Sequence, residues 1–147
     1  MTKLLPYDSA HLDLFEQLPE DIKRFGKYDS QTPFPLGEYG TNFTAVANGQ
    51  ILVVGGVLQM SLRTGKCWTM LSKYGKQKPI AAFLTVKKQL ESLMETMNLH
   101  RVETANLKEA TEHHEWCRLL GFVEEGEMPL YDDQGRTYIG FAKYRKE

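Results

Sequence analysis

Cysteine is scarce in this chain: 147 residues contain two, Cys67 and Cys117. Two thiols are too few for a secreted disulfide scaffold, and both are expected to stay reduced. No apolar run reaches bilayer-spanning length, and the amino-terminal residues lack an apolar signal core, which predicts a cytoplasmic protein with no membrane partner. Excess charge is missing too. A formal net charge of -1 with 25% charged residues describes an ordinary surface. With no nucleic-acid motif beside it, that balance argues against nucleic acid as the partner. Internal repeats and low-complexity tracts are absent. The length suits one domain whose core needs no covalent staples.

A further absence is local. Between Glu38 and Glu91 there is no Asp or Glu across 52 residues, while the interval holds Arg63, Lys66, Lys73, Lys76, Lys78, Lys87 and Lys88. Seven cations without an anion predict a local positive field and a polyanionic ligand.

The chain is organised around residues 66–122. A short apolar strand (Cys67, Trp68, Thr69, Met70, Leu71) leads into a cationic loop (Ser72, Lys73, Tyr74, Gly75, Lys76, Gln77, Lys78) and then a helix opened by Pro79. Phe83, Val86, Leu90, Leu93, Met94 and Met97 recur at helical spacing and carry that helix to about Asn98. A second strand, residues 101–105, follows. Strand, crossover helix and strand place the two strands in parallel with a right-handed connection. The loop and first helical turn then lie at the carboxyl end of a strand, where backbone N–H groups and the helix dipole favour an anion.

Before this unit, residues 3–7 read as a strand. Asp8 or Ser9 caps a helix with Leu12, Phe15 and Leu18 on one face. Pro19 opens a short helix with Ile22 and Phe25 that stops at Gly26. Residues 27–40 form a loop with Tyr28, Phe34 and Tyr39, expected to cover a pocket. Asn48-Gly49 joins strands 42–47 and 50–60 as a hairpin, and Gly55-Gly56 signals a bulge or a close backbone approach. After the parallel strand come a helix over residues 108–120, stopped by Gly121, and a last hairpin of strands 122–131 and 137–144. The sum is a mixed, mainly antiparallel sheet of six to seven strands with a β-α-β crossover and about four helices.

His113 and His114 lie four and three residues before Cys117, a spacing that can present metal ligands. A structural zinc site wants four protein ligands and no second cluster exists, so no metal is expected. One histidine is expected to face solvent and one to be partly packed. Trp68 and Trp116 read as core.

The element order, the basic loop before Pro79 and the segment Cys117-Arg118-Leu119-Leu120-Gly121-Phe122 resemble the GNAT acetyltransferase superfamily, whose corresponding helix ends in Tyr-x-x-Leu-Gly-Phe. Cys67-Trp68 and the run from His113 through Trp116 to Gly121 are similar to small phage-encoded GNAT-like proteins of the podovirus internal virion protein A type. The family's paired glycines are represented by Gly75 alone, and Cys117 stands at its tyrosine.

The resemblance implies acetyl transfer from acetyl coenzyme A to an amine, on a host protein or a small molecule, by direct attack in a ternary complex. It implies a coenzyme site at Met70, Leu71, Ser72, Lys73, Gly75, Lys76, Gln77 and Lys78, with Asn106 reaching the pantetheine arm or capping the next helix. Lysines would supply charge where glycine amides are lost. Glu103 and Glu38 are the candidate general bases and Tyr74 the candidate proton donor. The alternative it implies is a catalytically weak fold that binds a host protein or serves in the virion; the expected compartment is the cytoplasm, the host's for a phage-encoded chain, with the virion as the alternative.

Overall fold

The computed structural model describes residues 1–145. Seven strands, β1 (Thr2–Pro6), β2 (Thr41–Ala47), β3 (Gln50–Ser61), β4 (Thr64–Leu71), β5 (Arg101–Leu107), β6 (Val123–Met128) and β7 (Tyr138–Tyr144), form one sheet in the order β1-β2-β3-β4-β5-β7-β6. Four α-helices accompany it: α1 (Pro19–Phe25), α2 (Lys73–Gln77), α3 (Pro79–Thr96) and α4 (Thr111–Leu119). Apart from β4 with β5, the pairings whose register is described are antiparallel. Among the described residues no helix is long and apolar enough to cross a membrane.

The chain divides into two compact units, residues 1–58 with 68–93, and residues 59–67 with those from 94 onward. In the first unit the hairpin forms where expected: Asn48 and Gly49 take φ of 51° and 74°, the double left-handed conformation that suits a two-residue turn. The paired glycines of β3 are a close approach. A Cβ on Gly55 would lie 2.7 Å from the Trp68 carbonyl, and one on Gly56 would lie 2.5 Å from the Thr41 carbonyl. The register shift of this hairpin falls instead at Ala45/Val46.

The helix expected near Leu12 is shorter and tighter. Asp8 caps a 3-10 turn (Ser9–Asp13) in a reciprocal box with His11, and Leu12, Phe15 and Leu18 are buried without a continuous helix. Helix α1 begins at Pro19 and is capped by Gly26 at φ 82°.

Trp68 sits in the core with Leu12, Phe15, Ile51, Val54 and Met70. Phe34 stacks on its indole at 5.1 Å and Tyr7 meets it edge-on at 5.4 Å, so the 27–40 loop covers this core cluster. Its indole N–H donates to Asn42 Oδ1 at 3.0 Å, which satisfies the buried polar edge.

In the second unit β5 is central. It pairs in parallel with β4 through Thr64↔Arg101, Gly65↔Val102 and Lys66↔Glu103, and antiparallel with β7 from Arg101↔Tyr144 to Leu107↔Tyr138. The strand therefore runs two residues further than its sequence pattern predicts, and α4 starts later, at Thr111 with Ala110 as N-cap. Gly121 at φ 93° follows the helix, and the Phe122 N–H closes the end on the Cys117 carbonyl at 2.9 Å. His114 is buried with Nε2 3.0 Å from the Leu107 carbonyl and its ring 5.5 Å from Phe141, while His113 is half-buried. Trp68 is fully core, and Trp116 only half-buried.

Candidate functional site

The expected cationic loop is a single turn of helix. Ser72, buried at the end of β4, accepts the Gly75 N–H on Oγ at 2.8 Å, and its hydroxyl lies 2.6 Å from the Ile51 carbonyl as donor. Its N–H donates to the Leu52 carbonyl, and an isolated bridge pairs it with Gln17. Serine at this position is a good N-cap, so the strand end converts directly into α2.

This seating occupies much of the segment's backbone. The Lys73 N–H donates to the Glu16 carbonyl at 2.9 Å, Lys76 N–H to the Ser72 carbonyl at 2.9 Å, and Lys78 N–H to the Gly75 carbonyl at 3.0 Å. Gly75 is buried, and a Cβ there would lie 2.1 Å from the Leu52 carbonyl. Its glycine is thus explained by contact with β3. Pro79 has no N–H, so the first N–H groups of α3 for which no acceptor is described are those of Ile80 and Ala81.

The acid-free interval acquires acids from outside it. Lys73 Nζ lies 2.9 Å from Glu16, Lys76 Nζ 2.9 Å from Glu20, and Lys87 Nζ 3.3 Å from Glu91. The hydrogen bond from Lys76 holds the Glu20 carboxyl below its usual range. Lys78 and Lys88 are exposed and, among the described residues, have no carboxylate partner.

The remaining candidates of this unit are dispersed. Met70 is buried and Leu71 half-buried, Gln77 is exposed on α2, and Tyr74 is half-buried with its hydroxyl accepting from Asn48 Nδ2 at 3.1 Å. Glu38 is exposed at the end of a 3-10 turn (Pro35–Glu38).

Glu103 and Asn106 belong to the second unit. Asn106 lies within β5, so it cannot cap α4; its amide donates to Cys117 Sγ at 3.1 Å and approaches the His113 carbonyl at 3.5 Å. Burial pushes the Cys117 thiol above its usual range, with the Asn106 bond opposing. Cys67 is pushed up to about 12, by burial first and then by neighbouring Cys117. Both thiols remain protonated at neutral pH.

Glu103 Oε2 accepts from Arg101 Nε at 3.2 Å and Nη2 at 3.1 Å. Arg101 also binds both oxygens of Glu125, which in turn takes the Tyr144 hydroxyl. The Arg101 hydrogen bond, followed by that of Tyr144, draws the Glu125 carboxyl down to about 2. Sequence reasoning missed this cluster. Its members come from β5, β6 and β7, and only the order β5-β7-β6 brings them to one place.

At the level of sequence the chain matches no family model and no curated protein. At the level of structure it is similar to Ard1 from Thermoplasma volcanium (TM-score 0.78, 10% identity, 99% of each chain). It is similar to a GNAT-family acetyltransferase from Bacillus anthracis (TM-score 0.78, 13% identity, 99% of this chain and 96% of that one). A ribosomal-protein-S5-alanine acetyltransferase from Vibrio fischeri also matches (TM-score 0.70, 17% identity, 99% and 94%). The architecture is the GNAT acetyltransferase fold, and at these identities the likeness is one of fold.

Proposed function

We propose that the protein is an acetyl-coenzyme-A-dependent N-acetyltransferase of the phage type, acting on an amine of a small molecule or host protein, in the host cytoplasm or as part of the virion. The observation that carries acetyl transfer is the likeness of fold between almost the whole chain and solved acetyltransferases, at 10–17% identity; the phage type, host target and compartment rest on the sequence resemblance alone. The coenzyme, when bound, supplies an activated thioester.

This chain's residues fit its phosphates at the start of α3. Ile80 and Ala81 offer first-turn N–H groups of an 18-residue helix, and exposed Lys78 stands beside them. Gly75 and Lys76, committed to Ser72, Leu52 and Glu20, support the turn and leave the direct contacts to Lys78. On the second unit Glu103 is the candidate base, because Arg101 fixes its Oε2 while among the described residues nothing binds its other oxygen. The Cys117 thiol, buried and bonded to Asn106, is not placed to give a proton to a departing thiolate.

That same thiol favours a second reading, a fold that binds a partner and turns over slowly. Calorimetric titration with acetyl coenzyme A and desulfo coenzyme A separates the two. Low-micromolar binding, weakened about tenfold by Lys78→Ala and unaffected by Lys88→Ala, is the expected outcome. Absence of binding at millimolar ligand leaves the partner-binding reading.

A further inference from the structure

On the second unit a row of minimal side chains crosses three strands: Ala105 on β5 faces Gly140 on β7, which faces Gly126 on β6. Neighbouring positions on the same face carry long side chains, so the row is the floor of a depression of about 210 Å³. That volume lies below the roughly 300–1,000 Å³ of drug-sized ligand sites and suits a molecule of amino-acid size. A Cβ at Gly126 would meet nothing within 4 Å, which marks open space there, whereas one at Gly140 would lie 3.1 Å from Met128 Sδ, so Met128 walls the depression beside the central glycine.

The rim is charged, and its charges do not all cancel among themselves. Arg101 is shared by two carboxylates, Glu103 and Glu125, so this group carries one uncompensated negative charge. Glu125 has both oxygens engaged, whereas Glu103 is bound through Oε2. Glu127 is neutralised by Lys108. Lys66 lines the cavity and is paired in register with Glu103 across the β4–β5 ladder. Even so, no carboxylate lies within ion-pair distance of it among the described residues. Its ammonium donates to the Tyr131 hydroxyl at 2.8 Å and lies 5.4 Å from that ring.

A small floor is therefore flanked by one free positive charge and one free negative charge. A lone amine would meet Lys66 unpaired, and a lone carboxylate would meet Glu103; a molecule bearing both groups answers both.

We propose that this depression binds a free α-amino acid or a similarly small zwitterion, with its ammonium at Glu103 and its carboxylate at Lys66. The proposal deepens the acetyltransferase reading by naming the acceptor class, and as an acceptor site it rests on that reading. Amide resonances of Ala105, Gly126 and Gly140 in the full chain, titrated without coenzyme, test it. The probes are the common L-α-amino acids, their carboxamides and their N-acetyl derivatives.

At least one amino acid is expected to shift these resonances with a dissociation constant on the order of 1 mM or below, its carboxamide and N-acetyl forms binding about tenfold more weakly. Lys66→Met should make the acid and its carboxamide bind alike, and Ala105→Leu should abolish both by filling the floor. Circular dichroism confirms folding of each variant. No shift from any amino acid, or equal binding of acid and carboxamide to the unaltered chain, overturns the proposal. Selective shifts in a protein that binds no acetyl coenzyme A support the binding site and overturn acetyl transfer instead.

Discussion

Two glycines illustrate how differently one residue type can matter. Gly49 occupies the left-handed region at φ 74°, and an added Cβ would meet nothing within 4 Å, so Gly49→Ala should cost only the conformational penalty, about 1 kcal/mol. Gly75 has no such strain, yet an added methyl would meet the Leu52 backbone at 2.1 Å. Gly75→Ala must displace α2 from β3 and should cost about 3 kcal/mol by denaturant titration. The cysteines give a prediction at the same scale. Both are buried and their thiols are raised by that burial. Ellman's reagent at pH 8 should label neither in the native protein and both after unfolding; rapid labelling of either in the native state would contradict their assignment as core residues.

At the scale of elements, local chemistry accounts for what is readable in advance. Pro79 opens α3, Asn48-Gly49 makes the hairpin turn and Gly121 follows α4, because each acts through its own backbone geometry. Sequence and structure part where a distant partner decides. Residues 72–78 look like a loop, but Ser72 caps α2 against β3, and Glu16 and Glu20 supply carboxylates absent from the interval itself. Asn106 reads as lying beyond its strand because the pairing that holds β5 extended, through Leu107↔Tyr138, comes from the last strand of the chain.

Glu125 makes the element-level prediction. Its folded-state carboxyl lies at about 2, below the ordinary carboxylate value, so its contribution to stability is present above pH 4 to 5 and is lost as pH falls toward 2. The pair is about one-third exposed, at 32% and 33%, so solvent screening limits the effect to ~1 kcal/mol. Glu125→Gln should lower stability by that amount at pH 7 and leave it nearly unchanged at pH 2. Equal losses at both values would assign the effect to packing instead.

For the whole molecule, periodicity and turn chemistry are enough to reach a mixed, mainly antiparallel sheet, and the solved structures share that architecture. The candidate site is less legible. The sequence marks Lys78 and Glu103, but it carries no sign that Lys73 and Lys76 are paired, or that Ala105, Gly140 and Gly126 form one row. Such relations depend on strand order and on packing between segments far apart in sequence, which local pattern does not encode.

The central claim is that this chain transfers an acetyl group from acetyl coenzyme A to a free amino acid. Its most direct test is mass spectrometry of the full chain incubated with isotopically labelled acetyl coenzyme A and the mixed L-α-amino acids. The account predicts enzyme-dependent release of free coenzyme A matched by a labelled N-acetyl product, both suppressed by Glu103→Gln. Coenzyme that stays intact, with no labelled product above the protein-free control, would contradict it.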